Sequence, residues 1–525
     1  MAQEIVRSER QARPLDERRD EVSTRNVDAV IIGGGIGGLI TGAILSKKEG
    51  MKILLLEKEK YLGGKTFSFE HSEFEPEEFK HLLYALTRNV VIRSDPPIDE
   101  LLRKKVFRDF VFEGGWHSFI ASDRSRMSFI LKALGQDLKI VLSRGFRWWA
   151  DHQWVELRDL MRNWSKAEIQ EGREISRKMN LMSLEEASAF DHVDMQSYMR
   201  SRAQSPNVRQ FHEILAAWEA GLNDPALIST GEHIKAINLV HCSGRDFQYG
   251  GGGGPEGGYN NMTRAFAAII EQNGGIIKTN TPVQEVIIEG YKALGVRAKT
   301  SDGMQEYLAP VVICNVPMQR VYPLVPKEYW PGEFAERISR IWPLSGILGW
   351  VCTKPPMDPE FGGSCVVPVL PGCTAAQGYR GDVLFTFEDE GVMDPMKVPK
   401  GYGLMAVWVG LLPCNPDEIH NKALVDRAVE GMLSFLKIMI PDFKNQVQWY
   451  FLTLADEMYS LSVSPGLIGD RRLPVTHPTV KNLYFTGDSI TQWSFGLSGA
   501  AGGAIHCASA VTGKDQSIIL PFYMR

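Results

Sequence analysis

Short apolar runs that stop abruptly at clustered glycines recur along this chain, and they set most of its expected elements. Ala29 to Ile32 reads as a buried strand, Gly33-x-Gly35-x-x-Gly38 breaks it, and a small-residue helix follows. A second apolar strand, KILLLE, ends at Glu57. The segment PEGGYNNMTRAFAAIIEQNGGIIKTNTPVQEVIIEG reads as turn, helix, turn and strand, and Ala309 to Pro317 as a further strand. Near the other end, LYFTGDSITQWSFGLSGAAGGA is a strand, a Gly487-Asp488 turn and a second helix of small residues. Residues 121–254 carry helical periodicity, whereas 321–476 alternate strand-like runs such as GLMAVWVGLL with turns.

Composition narrows the class. A chain of 525 residues exceeds one simple core, so two domains are expected. With 44% hydrophobic and 23% charged residues and a net charge of −5, the chain reads as a globular protein with no electrostatic footprint for nucleic acid. VDAVIIGGGIGGLITGAILS is apolar, but six of its residues are glycine, which argues against a membrane span. Seven cysteines without a C-x-x-C pair point away from a disulfide scaffold or a metal site and towards a reducing compartment. The expected location is the cytoplasm, free or peripheral to the membrane. Residues 1–26 mix both charge signs without an apolar core and are expected to form a disordered arm rather than a secretory signal.

The first glycine cluster carries chemistry. Gly33 allows the tight turn, Gly35 lets backbone approach a pyrophosphate, and Gly38 lets helix pack on strand. The helix N-terminus adds N–H donors and partial positive charge, with Ile36 and Gly37 in its first turn. Glu57, nineteen residues after Gly38, is placed to accept hydrogen bonds from an adenosine ribose and to repel a 2′-phosphate. The motif alone leaves NAD and FAD both open.

Gly63-Gly64-Lys65 follows closely, and Gly487-Asp488 with FGLSGAAGGA comes late. Together these resemble the FAD-dependent amine oxidase and phytoene desaturase superfamily, which follows the ribose acid with Gly-Gly-Arg; here Lys65 stands in place of that arginine. The resemblance implies that Gly64 and Lys65 contact phosphate and that Val283 meets the adenine through its backbone. It implies too that Asp488 binds the ribityl chain, and that Leu497, Ser498 and Gly499 face the flavin pyrimidine edge. A cofactor clamped at both ends of the chain is FAD rather than NAD. The expected fold is α/β: a Rossmann-like FAD-binding domain assembled from discontinuous segments, plus a mixed α+β substrate domain. The FAD-binding pieces are expected at 27–120, 255–320 and 477–525, and the substrate pieces at 121–254 (helical) and 321–476.

FEGGWHSF (112–119) resembles a family stretch that normally follows Gly-Gly-Arg at once, so residues 70–108 read as an insertion. Within it Phe79, Leu82, Leu83 and Leu86 recur at helical spacing among basic residues. This helix either packs on its own domain or docks on a membrane or partner subunit. The alignment brings His117 to the active site, and Trp493 and Phe495 lie close enough to the second glycine turn to face the flavin. The pentaglycine 250–254 reads as a connector or lid hinge. The stretch GGYNNMTRAF and a D-P-x-x-x-P-x-G run at 394–401 resemble the phytoene desaturase branch. That branch implies a dehydrogenase or desaturase taking hydride from an apolar isoprenoid or alicyclic substrate onto flavin N5. Oxygen, a quinone, a flavoprotein or nicotinamide would then serve as electron acceptor. The alternatives are a flavin amine oxidase, a redox-neutral carotenoid-type isomerase, and a prenyl-binding module without enzymatic activity.

Overall fold

A computed structural model describes residues 27–71, 73–156, 159–245, 252–379, 381–411, 419 and 421–525. The expected arm at 1–26 and Gly250-Gly251 of the pentaglycine lie outside the described residues. Two sheets organise the rest.

The first sheet is parallel and has five strands, in the order Ile276–Lys278, Ile53–Leu56, Ala29–Ile32, Val311–Cys314 and Leu483–Phe485. Every residue of Ala29–Ile32 and Ile53–Leu56 is buried, which explains why they read as unbroken apolar runs rather than alternating ones. One face carries the first helix, Ile36–Glu49, and the closing helix, Gly496–Thr512. Both are buried along most of their length, and both end at a left-handed glycine, Gly50 and Gly513. Their small residues let backbones meet. A Cβ on Gly37 would stand 2.8 Å from the Gly487 Cα, and one on Gly503 would overlap the Gly487 carbonyl oxygen.

The second sheet has eight strands, in the order Asn89–Asp95, Val447–Tyr459, Leu344–Thr353, Gly403–Leu411, Phe385–Asp389, Ser364–Val367, Phe146–Ala150 and Gln153–Glu156. Its pairs are antiparallel except Ser364–Val367 with Phe146–Ala150. The central strand Leu344–Thr353 is buried throughout because both faces are covered. Ile347 and Val351 pack towards the helix Lys422–Met439, while Trp350 and Cys352 join an aromatic core with Phe79, Phe107, Phe112 and Phe451.

This arrangement moves several expected boundaries. Residues 70–108, expected as an insertion in the FAD-binding domain, join the two sheets: Ala85, Leu86 and Arg88 border the crevice at the end of the first sheet. Asn89–Asp95 is the edge strand of the second sheet, paired with Val447–Tyr459. Phe79, Leu82, Leu83 and Leu86 are buried in the aromatic core, so this apolar face is turned inward and is not a docking surface. Residues 321–341 pack with Val30, Leu54 and Phe485 through Val321, Leu324, Trp330 and Ile338, and so belong with the first sheet. The segment 121–254, expected to be helical, also supplies two strands of the second sheet. The described end of the pentaglycine is no hinge: Gly253–Pro255 pairs with Ile140–Leu142. Among the described residues, no helix is long and apolar enough to cross a membrane.

Candidate active site

A cleft of about 1250 Å³, counting the space at its mouth, runs along the C-terminal edge of the parallel sheet. Gly33, Glu57, Asn315 and Gly487, each just past the end of a strand, line it. Chain crossovers leave a crevice at this edge, and dinucleotides bind there in open α/β sheets.

The cleft gathers most of the predicted residues: Gly33, Gly35, Ile36, Gly37, Glu57, Gly64, Lys65, Val283, Gly487, Asp488, Leu497 and His117. Gly38 lies beneath it, packed so closely on Gly33 that a Cβ would meet the Gly33 carbonyl oxygen. Glu57 is buried, and burial pushes its pKa up. Its Oε2 accepts from the Gly34 N–H at 2.6 Å and its Oε1 from the Glu59 N–H at 2.9 Å. Each oxygen keeps a second lone pair, which suits a ribose diol.

Two uncapped helix N-termini face the cleft. Among the described α-helices elsewhere, eight carry a capping side chain, from Ser125, Ser165, Ser183, Asp194, Ser205, Ser229, Asp389 and Asn421, and five do not. The first and closing helices have none, at Gly35 and Phe495, and both open onto this cleft. Their first-turn N–H groups therefore remain for an anion or an electron-rich ring edge.

Lys65 lines the cleft and also meets protein groups. Its Nζ lies 2.6 Å from Glu457 Oε1 and 3.1 Å from Ser460 Oγ, which leaves the third of its donors for a phosphate. Arg320 shares the same carboxylate at 2.6 Å. These two cations face two carboxylates, Glu457 and the neighbouring Asp488. Burial raises the Glu457 pKa, but Lys65 and Arg320 outweigh it and leave the group below the ordinary carboxylate range. Asp488 Oδ2 accepts the Ser460 N–H at 3.1 Å, which braces this carboxylate at the cleft wall.

A second cleft of about 940 Å³, counted likewise, meets the first at His117, Met458, Tyr459, Gly496 and Leu497. Trp116, Trp218, Leu344, Trp408 and Phe495 form its apolar wall; Ser498, Glu219 and Glu388 add polar groups. His117 Nε2 lies 2.7 Å from the Lys65 carbonyl oxygen, which can only accept, so Nε2 carries the proton. Nδ1 then holds a lone pair, buried and without a partner among the described residues. Burial pushes the His117 pKa down, keeping the ring neutral. Phe495 lies in the second cleft, with its ring centroid 5.6 Å from that of Tyr459. Trp493, expected beside it, lines neither cleft. It covers the buried Arg126 guanidinium, 4.0 Å from the ring, and Arg126 in turn donates to the Ser498 carbonyl oxygen at 2.8 Å. Burial holds the Arg126 pKa down to about 10.

Sequence reasoning passed over Asn315, Glu457, Tyr459 and Glu219. Asn315 had a visible signal, since it ends the strand read at 309–317, and its Nδ2 donates to the Gly33 and Gly35 carbonyl oxygens. The others come from strands and helices with no motif of their own.

Two uncapped helix ends and the buried Glu57 around one long crevice fit FAD, which Gly35 to Gly37 would hold at the pyrophosphate and Gly496-Leu497 at the flavin. The partnerless His117 Nδ1 and Ser498 Oγ at the junction of the clefts are the polar atoms such a ring would meet. These features define a flavoprotein oxidoreductase. The chain belongs to the family of flavin containing amine oxidoreductases, whose pattern matches residues 36–512, and its cofactor is FAD. It is 22% identical over 485 residues to a 4,4'-diapolycopen-4-al dehydrogenase of Metabacillus indicus, covering 88% of this chain and 92% of that one. It is 24% identical over 311 residues to an inactive all-trans-retinol 13,14-reductase of Danio rerio, covering 55% of this chain but only 47% of that relative's length. Among solved structures, an oxidoreductase from Methanosarcina mazei shares the fold, with a TM-score of 0.67, 18% identity, 93% of this chain and 100% of that one.

Proposed function

We propose that this protein is an FAD-dependent dehydrogenase that takes hydride from an apolar isoprenoid or alicyclic substrate held in the second cleft. The observation that carries the reading is the wall of that cleft: Trp116, Trp218, Trp408, Phe495 and Leu344, with no lysine or arginine lining it among the described residues. When bound, FAD supplies a two-electron acceptor at N5. The chain's own task is to hold a C–H bond beside it and exclude water. Burying about 250 Å² of terpene-sized surface contributes roughly 6 kcal/mol before binding costs, enough for useful affinity without a charged anchor. The Metabacillus relative, named as a dehydrogenase of a diapolycopene derivative, supports the same substrate class. At the junction, His117 Nδ1 can accept a hydrogen bond while its Nε2 stays fixed on Lys65.

Oxidation of an amine is the second reading, favoured by the Tyr459 and Phe495 rings standing together where the clefts meet. Anaerobic titration of the FAD-loaded protein with a cyclic monoterpene, phytoene and a primary amine separates the two. Bleaching of the flavin band by either hydrocarbon supports the first reading, and bleaching by the amine alone replaces it with the second. Adding oxygen, a quinone, a second flavoprotein or a nicotinamide to the bleached sample then identifies the electron acceptor.

A further inference from the structure

The helix Pro206–Ala220 separates the substrate cleft from an outer groove. Glu219 lines the cleft; His212, two turns earlier, lines the groove beside Arg173, Arg177 and His241. The groove encloses about 800 Å³, counting its open side. His233, on the neighbouring helix Thr230–Cys242, acts on both. Its Nδ1 lies 2.5 Å from Glu219 Oε2, and its charge helps hold His212 unprotonated. The His233 and Glu219 side chains are 1% and 8% exposed. Glu219 Oε1, His233 Nε2 and both ring nitrogens of His212 are buried without a hydrogen-bond partner among the described residues. Four such atoms, on two touching helices between one cavity and another, are not what a purely structural contact leaves behind.

We propose that Glu219, His233 and His212 form a proton-exit path from the substrate cleft to the outer groove, with Glu219 as the proton acceptor. The inference rests on the dehydrogenase reading. Making a C=C bond from two C–H bonds gives up one hydride and one proton. The hydride would leave with its electron pair for bound FAD, the two-electron acceptor. The second C–H bond leaves its pair in the new π bond and its proton on Glu219. In the resting pair His233 Nδ1 donates to the ionised Glu219. Once Glu219 is protonated, a turn of the His233 ring brings its bare Nε2 to that proton and swings the Nδ1–H towards His212, which releases a proton to solvent in the groove.

The environment suits this traffic. Burial pushes His212 down to about 3, so the ring stays neutral, with one N–H and one lone pair, as a through-relay requires. Burial pushes Glu219 up and the nearby Glu232 pushes it further, with His233 opposing both. Glu232 is itself paired with Lys235, which also holds Asp191, and it feels Arg126 and Arg472. Glu388 shares the substrate cleft, and burial raises its pKa too.

The test uses the full FAD-loaded chain and the substrate that bleaches its flavin, followed by anaerobic stopped flow from pH 5 to 9. Glu219→Gln is expected to slow flavin reduction by at least about 100-fold and to remove the inflection set by that acid, the scale of a lost general base. Glu219→Asp restores part of the rate. His212→Ala is expected to slow reduction roughly tenfold, to leave the flavin spectrum unchanged, and to recover when imidazole is added, because the groove admits it. In histidine-labelled protein without substrate, the hydrogen-bonded His233 ring proton should disappear in Glu219→Gln. Wild-type rates in Glu219→Gln, or a His212→Ala defect that imidazole does not repair, overturn the path while the dehydrogenase reading stands. A wild-type flavin that no hydrocarbon bleaches removes both.

Discussion

Lys65 Nζ and Glu457 Oε1 lie 2.6 Å apart, although 392 residues separate them in the chain. The pair fastens the loop after the ribose acid to the last strand of the second sheet, and Arg320 joins it from a third segment. Three stretches of chain thus meet at one carboxylate that is 7% exposed. Glu457→Gln would leave two cations unpaired there. We expect the flavin-free protein to lose about 3 kcal/mol of stability, as buried pairs do when one partner is removed. Urea denaturation at pH 7.5 measures it, and a loss under about 0.5 kcal/mol, typical of an ordinary surface change, would contradict the role assigned to Glu457.

Acid should weaken the protein through its buried histidines, while buried carboxylates pull the other way: burial pushes Asp389 up to about 6 and Glu390 up to about 7, so their protonation in the folded chain offsets part of the loss. Folding holds His117, His212 and His477 below their ordinary 6.5 through burial, His212 at about 3 and His477 at about 4. Below pH 6.5 the unfolded chain therefore binds protons that the folded chain refuses. Stability falls from there downward, by up to about 1.4 kcal/mol per pH unit for each histidine. Glu457 has the opposite origin, since its lowered pKa stabilises above 4.5 and is lost only further down. The difference in urea midpoint between His477→Asn and the wild type cancels the carboxylates; it should be flat from pH 7.5 to 6.5 and shift in favour of the variant from pH 6.5 to 5.5. An even slope over both would reject this account.

Gly37→Ala should abolish FAD retention while leaving the second sheet folded. The new Cβ would stand 2.7 Å from Asn315 Oδ1 and 2.8 Å from the Gly487 Cα, so the first helix must move off the turn that meets the cofactor. The purified variant is expected to be colourless, with a flavin-to-protein absorbance ratio at least about tenfold below wild type, for a lost contact worth about 1.4 kcal/mol or more. A yellow variant would mean the helices part more easily than their packing indicates.

Trp493 and Phe495, two residues apart, should behave oppositely. Trp493→Leu removes a ring from over Arg126 and is expected to cost about 1 kcal/mol of stability with little change in substrate affinity. Phe495→Ala opens the wall of the substrate cleft and should weaken substrate binding roughly 10- to 100-fold, the value of a buried aromatic face. Substrate titrations of flavin bleaching compare them directly. Equal effects would place both rings on the same side of the closing helix.

What the sequence made legible was local. Gly33 to Gly38, Glu57 and Gly487-Asp488 could be read because each motif satisfies its own backbone and ligand demands within a few residues. The parallel sheet was equally accessible in outline, since strands buried on both faces leave continuous apolar runs. Residues 70–108 were misplaced because an edge strand such as Asn89–Asp95 takes its meaning from a partner more than 350 residues away. The partner of Lys65 was unreadable for the same reason: nothing near it in the chain announces Glu457. Glu219 and His233 sit on ordinary amphipathic helices, and only packing two of them side by side makes a pair.

The parallel sheet also carries a timetable. Its strands Ala29–Ile32 and Ile53–Leu56 emerge from the ribosome long before the edge strand Leu483–Phe485 and the helix that follows it. At roughly 10 residues per second, a finished first strand waits about 45 seconds for the edge that completes the FAD crevice. During that interval the apolar faces of Ala29–Ile32 and Ile53–Leu56 have no closing helix to cover them. A nascent chain of this design gains no stability from its cofactor until that edge is in place.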